Sequence, residues 1–286
     1  MRLFTRCSLL LLAVTVFHTQ AASVWKVSSA QHTLYIGGTI HILSPDDYPL
    51  PTEYDKAFAK ADKLVFETDI AAVNSIEFQQ KMMAQMVYAD GTTLDKVLKP
   101  ATYAALTEHL AVRNVPIEAM AQLKPSLVAL TLSVMELQAL GFTSEGVDQY
   151  YSNKASSAEK PQAWLETPDE QLAFIVDLGK DDESAMIDYA IKDVEKMPEV
   201  INLLRSSWLE GDMQALAAAT IDEFKANYPQ IYQDLLVSRN LLWMPQITKM
   251  LNDKPVEFIL VGAMHLAGPD SILGKLEDQG FKVEKL

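Results

Sequence analysis

The chain has 286 residues, 49% of them hydrophobic, with 24 basic side chains against 38 acidic ones and a single cysteine. That length suits one large domain or two modest ones, and the apolar share supports a sizeable core, which argues against intrinsic disorder. A net charge of −14 argues against nucleic acid and anionic lipid surfaces as partners and says nothing of fold.

Residues 1–22 read as an export signal. Arg2 and Arg6 form a basic start, Cys7–Phe17 is an apolar run of 11 residues, and Ala21, Ala22 and Ser23 supply the small residues of a cleavage site. The run is shorter than the roughly 20 residues a bilayer span needs, so no stable membrane insertion is expected. A buried first helix is the competing reading. Cleavage after Ala21 or Ala22 leaves one domain over 23–286. It removes Arg2, Arg6 and the cysteine, leaving 22 basic against 38 acidic side chains, a charge of −16. The mature chain then has no disulfide, thiol ligand or thiol nucleophile, which fits a periplasmic protein.

The next zone, about residues 24–70, has strand character. Trp25–Val27 and Thr33–Ile36 flank a turn-like Ser28–Gln31 and predict a hairpin. A helix follows over Glu53–Asp62, with Tyr54, Ala57, Phe58 and Ala61 on one face, and then a short apolar strand, Lys63–Glu67. Strand, helix, strand predicts a parallel crossover. The middle, about 72–250, is mostly helical. Apolar residues recur at helical spacing in Ile76–Val87, Ala101–Val112, Ser126–Leu140, Asp169–Leu178 and Met213–Phe224. Pro100, Pro116, Pro125, Pro168, Pro198 and Pro229 punctuate it, several where a helix begins. One strand candidate, Gln162–Leu165, interrupts it. The C-terminal zone returns to strand (Glu257–Val261), a turn at Gly262–His265, helix (Pro269–Gln279, with Gly280 as its stop) and strand (Phe281–Glu284). No internal repeat is present. The expected fold class is α/β, a sheet core built from N- and C-terminal βαβ segments with a large helical middle region.

Two histidines share a local setting. Gly38-Thr39-Ile40-His41 and Gly262-Ala263-Met264-His265 each follow a predicted strand. Ligands of parallel sheets sit beyond the carboxyl ends of the strands, and glycine there permits a turn and a close approach. Glu67 closes a third strand. If the three strand ends are neighbours, His41, His265 and Glu67 make a two-histidine, one-carboxylate set suited to a hydrolytic divalent metal ion. A hydrogen-bonded structural role is the competing reading for each residue. His32, in the hairpin loop, and His109, surface or half-buried on a helix, are not promoted. Met82, Met83 and Met86 are read as packing. No His-Glu-x-x-His, Gly-x-Ser-x-Gly or Walker-type loop occurs.

The stretches LYIGGTIHILSPDDYPLP, YDKAFAKADKLVFETD, GVDQYY with WLETPDEQL, SRNLLWMPQI and FILVGAMHLAGPDSI, in that order, resemble the TraB/GumN family, which includes the TIKI proteins. The resemblance spans nearly all of the mature chain. It implies a TIKI-like α/β core assembled from both chain ends, and metal-dependent proteolysis as in the better-studied branch. Carried onto this chain, it implies His41, Glu67, Arg239 and His265 as site residues, with Glu166 and Asn240 as a second tier. His41 and His265 would ligate the metal, Glu67 would be a third ligand or the general base, and Arg239 would face a substrate carboxylate or oxyanion. The competing readings are a solvated helix arginine for Arg239 and a cap on the 169–178 helix for Glu166.

The expected function is a periplasmic metal-dependent hydrolase acting on a peptide or other small envelope substrate. Two alternatives stand beside it. One is a non-catalytic binding or regulatory protein for a peptide or polysaccharide intermediate. The other is a haem or iron carrier using the same histidines.

Overall fold

The computed structural model describes residues 22–252 and 254–286; the expected export signal lies, apart from Ala22, outside the described residues. The strands in chain order are β1 (Val24–Ser28), β2 (Thr33–Thr39), β3 (Ile42–Leu43), β4 (Lys63–Phe66), β5 (Ser144–Glu145), β6 (Gln162–Trp164), β7 (Glu257–Gly262) and β8 (Lys282–Lys285). The helices are α1 (Thr52–Lys60), α2 (Ile70–Val73), α3 (Ile76–Met86), α4 (Leu94–Val97), α5 (Pro100–Val112), α6 (Pro125–Ala139), α7 (Val147–Ser157), α8 (Pro168–Asp177), α9 (Glu183–Glu210), α10 (Met213–Leu216), α11 (Asp222–Asn227), α12 (Pro229–Tyr232), α13 (Ser238–Met250) and α14 (Ile272–Asp278).

Six strands form one mixed sheet in the order β6-β4-β7-β2-β1-β8. The run β6, β4, β7, β2 is parallel throughout; beyond β2, β1 pairs antiparallel with β2, and β8 pairs antiparallel with β1. β7 explains the layering. Its alternate residues Phe258 and Leu260 enter one core, and Ile259 and Val261 enter the other. The first core includes Tyr54, Ala57 and Phe58 of α1, Val128 and Leu132 of α6, and Ile187 and Ala190 of α9. The second takes Trp243, Met244 and Ile247 of α13 and Ile272, Leu273 and Leu276 of α14. A sheet apolar on both faces needs a helical layer on each, which is the three-layer arrangement seen. A small separate core of Met86, Leu127 and Leu172 ties α3 to α6 and α8.

The α/β class, the hairpin, the helical middle and the C-terminal strand-helix-strand are all present. Several local expectations are corrected. β2 does not end at Ile36; it runs on through Gly37 and Gly38, which pair with Leu260 and Val261. Gly38 is therefore extended backbone and not a turn. A β-carbon on Gly37 would stand 2.9 Å from Leu260 Cδ2, and one on Gly38 would stand 3.3 Å from Ala263 Cα, so close approach is what these glycines permit. The β2–α1–β4 crossover is parallel, but its strands are not neighbours, because β7 lies between them. β7, apolar on both faces, takes a central place between two parallel neighbours.

Pro198 does not break a helix; it lies inside α9, which is 28 residues long. An internal proline forfeits a backbone hydrogen bond. Burial of Met186, Ile187, Ala190, Ile191, Val194 and Trp208 along the same helix outweighs that loss. His109 is buried rather than surface-lying. The pair β3–β5 and helices α9 and α13 were not legible from periodicity.

Candidate functional site

Each of the four adjacent parallel strands delivers one side chain just beyond its carboxyl end. Glu67 follows β4 directly, His41 and Glu166 lie two residues past β2 and β6, and His265 lies three past β7. The ladder continues past the strand ends, since the Glu166 N–H donates to the Glu67 carbonyl at 2.9 Å. This is the edge of a parallel sheet where ligands gather.

Glu67 is buried and fully engaged. Its Oε1 accepts from the Gly262 N–H at 2.6 Å, and its Oε2 accepts from Arg239 Nη2 at 2.6 Å. Glu166 holds the same guanidinium, with Oε1 2.7 Å from Nη2 and Oε2 3.2 Å from Nε. Arg239 also lies over the Trp243 ring, 4.6 Å from its centroid, and is only 8% exposed. The solvated-arginine reading is therefore overturned. Glu166 does not cap α8 either, since the capping box there is made by Thr167 and Glu170. A π-helical turn, Gln233–Val237, runs directly into α13 and sets the register that faces Arg239, Asn240 and Trp243 inward.

His265 is 4% exposed. Its Nδ1 is 2.7 Å from Asn240 Oδ1, and its Nε2 is 3.3 Å from Arg239 Nη1 and 3.8 Å from Glu67 Oε1. Asn240 Nδ2 donates to the Asp270 carbonyl at 2.9 Å, which leaves Oδ1 as the acceptor facing the imidazole. The proton thus sits on Nδ1, and the Nε2 lone pair faces the guanidinium, which can only donate.

His41 is set by a different device. Its Nδ1 is 3.1 Å from Asp148 Oδ2. Asp148 lies in the first turn of α7, and that helix begins against the His41 backbone: the Val147 N–H donates to the Ile40 carbonyl at 3.1 Å, and a β-carbon on Gly146 would overlap the His41 carbonyl group. Only glycine allows α7 to approach so closely. Asp148 was not singled out from the sequence, although it lies within the GVDQYY stretch that carries the family resemblance.

Three of the side chains surround one point. A β-carbon on Gly262 would lie 3.2 Å from Glu67 Oε1, 3.5 Å from His265 Cδ2 and 3.7 Å from His41 Nε2. The second Gly-x-x-His glycine therefore keeps space clear between the two histidines and the carboxylate.

Electrostatics separate the groups. Burial pushes the Glu67 carboxyl up, but the Arg239, His265 and His41 charges and the Gly262 N–H outweigh it and hold it at about 2. Burial pushes His265 down to about 3, with Arg239 adding to the effect against Glu67. The Asp148 carboxylate lifts His41 to about 9 against the opposing effect of burial. With 63% of the His41 side chain exposed, water screens part of that lift. Burial lowers Arg239, and Glu67 and Glu166 more than compensate.

Among the described residues, no group of three His, Cys, Asp or Glu side chains is arranged to hold a metal ion as it stands. The guanidinium occupies Glu67 Oε2 and the His265 Nε2 direction. The donor chemistry nevertheless fits a divalent ion. Two imidazoles and a carboxylate face one space, and each Nδ1 is tied to an oxygen acceptor, the outer support that metal-binding histidines require. The group opens onto a cleft of about 730 Å³. His41, Glu67 and Arg239 lie on its sheet side, and residues of α6, α8 and α9 line the facing wall.

Comparison with known proteins gives the lineage. The proteins YbaP of Escherichia coli (strain K12) and of Shigella flexneri are each 25% identical to this chain over 244 residues, covering 82% of it and 84% of their own length. No solved structure matches. A model of the TraB/PrgY/gumN family matches residues 23–285, and the chain belongs to that family.

Proposed function

We propose that this protein is an exported, metal-dependent hydrolase of amide bonds, working in the periplasm on a peptide or other small envelope substrate. The observation that carries the reading is the meeting of His41, Glu67 and His265 around the place a β-carbon on Gly262 would take, beside a large cleft. His41 Nε2, His265 Nε2 and Glu67 would hold the ion. Bound there, a divalent metal supplies Lewis-acid polarisation and a water acidic enough to attack near neutral pH.

The remaining residues have roles that follow from their contacts. Asp148 and Asn240 hold the imidazoles by Nδ1, which turns His41 Nε2 toward the shared space and His265 Nε2 toward the Arg239 guanidinium at its edge. Glu67, kept at about 2, serves as a fixed anion; a carboxylate so weakly basic is a poor general base at neutral pH. Arg239 is clamped by two carboxylates and stacked on Trp243. With His265 Nε2 given to the ion, Nη1 would be released to offer its positive charge to a substrate oxygen. A second reading, a non-catalytic binding protein, is favoured by the engagement of Arg239 with both Glu67 and His265, which leaves the group satisfied without metal.

The deciding test is metal content per chain after reloading purified protein with zinc, manganese or cobalt, beside a His41→Ala, His265→Ala double variant shown to be folded by circular dichroism. About one equivalent in the parent and none in the variant, with chelator-sensitive cleavage of a peptide library, supports the hydrolase. No metal in the reloaded parent rejects it in favour of the binding protein. A Soret band on adding haem would point to the carrier reading instead.

A further inference from the structure

β8 is an outer strand of the sheet, and the ladder tells which way its backbone groups point. Lys285, Glu284, Val283 and Lys282 lie opposite Trp25, Lys26, Val27 and Ser28 of β1. Beyond them, the Leu286 N–H donates to the Val24 carbonyl at 2.9 Å. In an antiparallel pair, residues that exchange hydrogen bonds alternate with residues that do not. Glu284 and Lys282, in step with Leu286, therefore bond to β1, and Val283 and Lys285 turn their N–H and C=O groups to the open edge. The far side of β1 agrees. The Gly38 N–H donates to the Ser23 carbonyl at 2.8 Å, which assigns the odd-numbered residues of β1 to β2 and leaves the even ones for β8.

An open edge is a template for another strand, and native edges are commonly blunted by proline, a bulge or unbalanced lysine. β8 has no proline, and its register with β1 is unbroken. Its lysines are both answered. Lys282 pairs with Glu284 at 2.7 Å on one face, and Lys285 Nζ donates to the Glu210 carbonyl, drawn back toward the start of β1. The opposite edge of the sheet, β6, is three residues long and carries no charge.

A second copy of this chain fits the β8 edge in one register. A two-fold axis makes the pairing antiparallel and self-complementary. Outward groups must meet outward groups, so the odd-numbered residues must face one another. Registers centred on Lys282, Glu284 or Lys285 fail, because each sets two like charges directly opposite. The register centred on Val283 sets Lys282 opposite the partner's Glu284, and Glu284 opposite the partner's Lys282. These are non-hydrogen-bonded positions, where facing side chains lie closest. Val283 exchanges both backbone bonds with the partner's Val283, and the Lys285 N–H reaches the partner's Phe281 carbonyl. The Phe281 N–H stays with the Leu276 carbonyl, 3.1 Å away.

We infer that β8 is a self-association edge: two copies join antiparallel about Val283, with Lys282 of each opposite Glu284 of the other, into one sheet of twelve strands, six from each. β8 runs in the same direction as β2, β4 and β7, since it is antiparallel to β1 and β1 to β2. The partner's sheet is reversed, so the two candidate sites open at opposite ends and neither copy completes the other's. The inference goes beyond the hydrolase reading and does not depend on it. With one strand from each copy the contact is small, and association should be weak, in or above about the micromolar range.

Sedimentation equilibrium of the exported protein from about 5 to 500 µM, the range of a weak contact, should show a reversible monomer–dimer equilibrium. Lys282→Glu and Glu284→Lys each set like charges opposite one another at both symmetric positions and should weaken the dimer at least about tenfold. Mixing the two single variants, or combining both changes in one chain, should restore it. Val283→Pro removes an N–H that only the dimer uses, at an edge position that tolerates proline, and should abolish association while circular dichroism shows a folded monomer. If that variant fails to fold, the charge exchange decides alone. A monomer throughout the range, single variants that dimerise like the parent, no recovery on mixing, or growth beyond a dimer would each overturn the inference. Metal uptake should be equal in Lys282→Glu and the parent, so the two readings fail separately.

Discussion

Arg239→Met is the most informative single change to the site. The guanidinium is the counter-charge for Glu67 and Glu166, whose side chains are each 11% exposed. Methionine keeps an unbranched stem against Trp243 and removes the charge, leaving two buried carboxylates facing each other. Breaking a buried ion pair from one side costs about 3–5 kcal/mol. The lost contact with Trp243 adds roughly 0.5–2 kcal/mol. At about 2–4 °C per kcal/mol for a domain of this size, the melting temperature should fall by at least 6 °C. Urea unfolding at pH 7 measures the loss directly, with an unchanged m-value showing that stability and not compactness has changed. The deficit should shrink on acidification, because Glu67 without Arg239 is raised by burial and takes up a proton more readily. A triple variant, Arg239→Met with Glu67→Gln and Glu166→Gln, should recover more than half of the loss. A single-variant loss under about 1 kcal/mol, the value of a surface pair, would refute the claim that this charge balance holds the site together. So would a triple variant no more stable than the single.

Acid should destabilise the metal-free protein in two stages. His265 has its ordinary value of 6.5 when unfolded and about 3 when folded, so its contribution is complete above 6.5 and is lost as pH falls toward 3. Glu67 has 4.5 unfolded and about 2 folded, so its share goes in the lower window. Urea unfolding of His265→Gln should lack the upper part of that slope. Asn240→Asp places a negative charge against His265 Nδ1 and should move the imidazole titration followed by NMR upward. Gly146→Ala should push α7 off the His41 backbone, costing more than about 2 kcal/mol in thermal unfolding and returning His41 toward its ordinary titration. Gly262→Ala, whose new methyl meets only side-chain atoms, should fold with a loss below about 2 kcal/mol yet bind metal at least tenfold more weakly in calorimetry.

Much of the fold is legible because local pattern reports burial. The near-continuous apolar run Phe258–Val261 announces a strand covered on both faces, and Pro100, Pro125 and Pro168 mark the helix starts they occupy. The two Gly-x-x-His motifs and Glu67 stand out as chemistry-bearing groups at strand ends. α9 did not stand out, since Pro198 argues locally against a helix that distant contacts enforce. Trp243 could have been found: it lies four residues after Arg239, which on a helix places the two on one face.

The sequence alone determined most of the strands and helices, α9, α13 and the β3–β5 pair excepted, and that His41, Glu67 and His265 each sit at the end of a strand. Only the tertiary structure decided that those ends are neighbours. Glu67 and Gly262 are 195 positions apart and meet because β7 inserts between β2 and β4. It also decided that Arg239 of α13 is buried rather than solvated, because its charge is fixed by carboxylates just past the ends of two strands, and that Asp148, 107 positions from His41, sets the orientation of that ring. The physical reason is one of range. Periodicity and turn chemistry encode what a residue does within a few positions of itself. Strand order, the pairing of buried charges and close glycine contacts are set by parts of the chain that meet only when the whole sheet has formed.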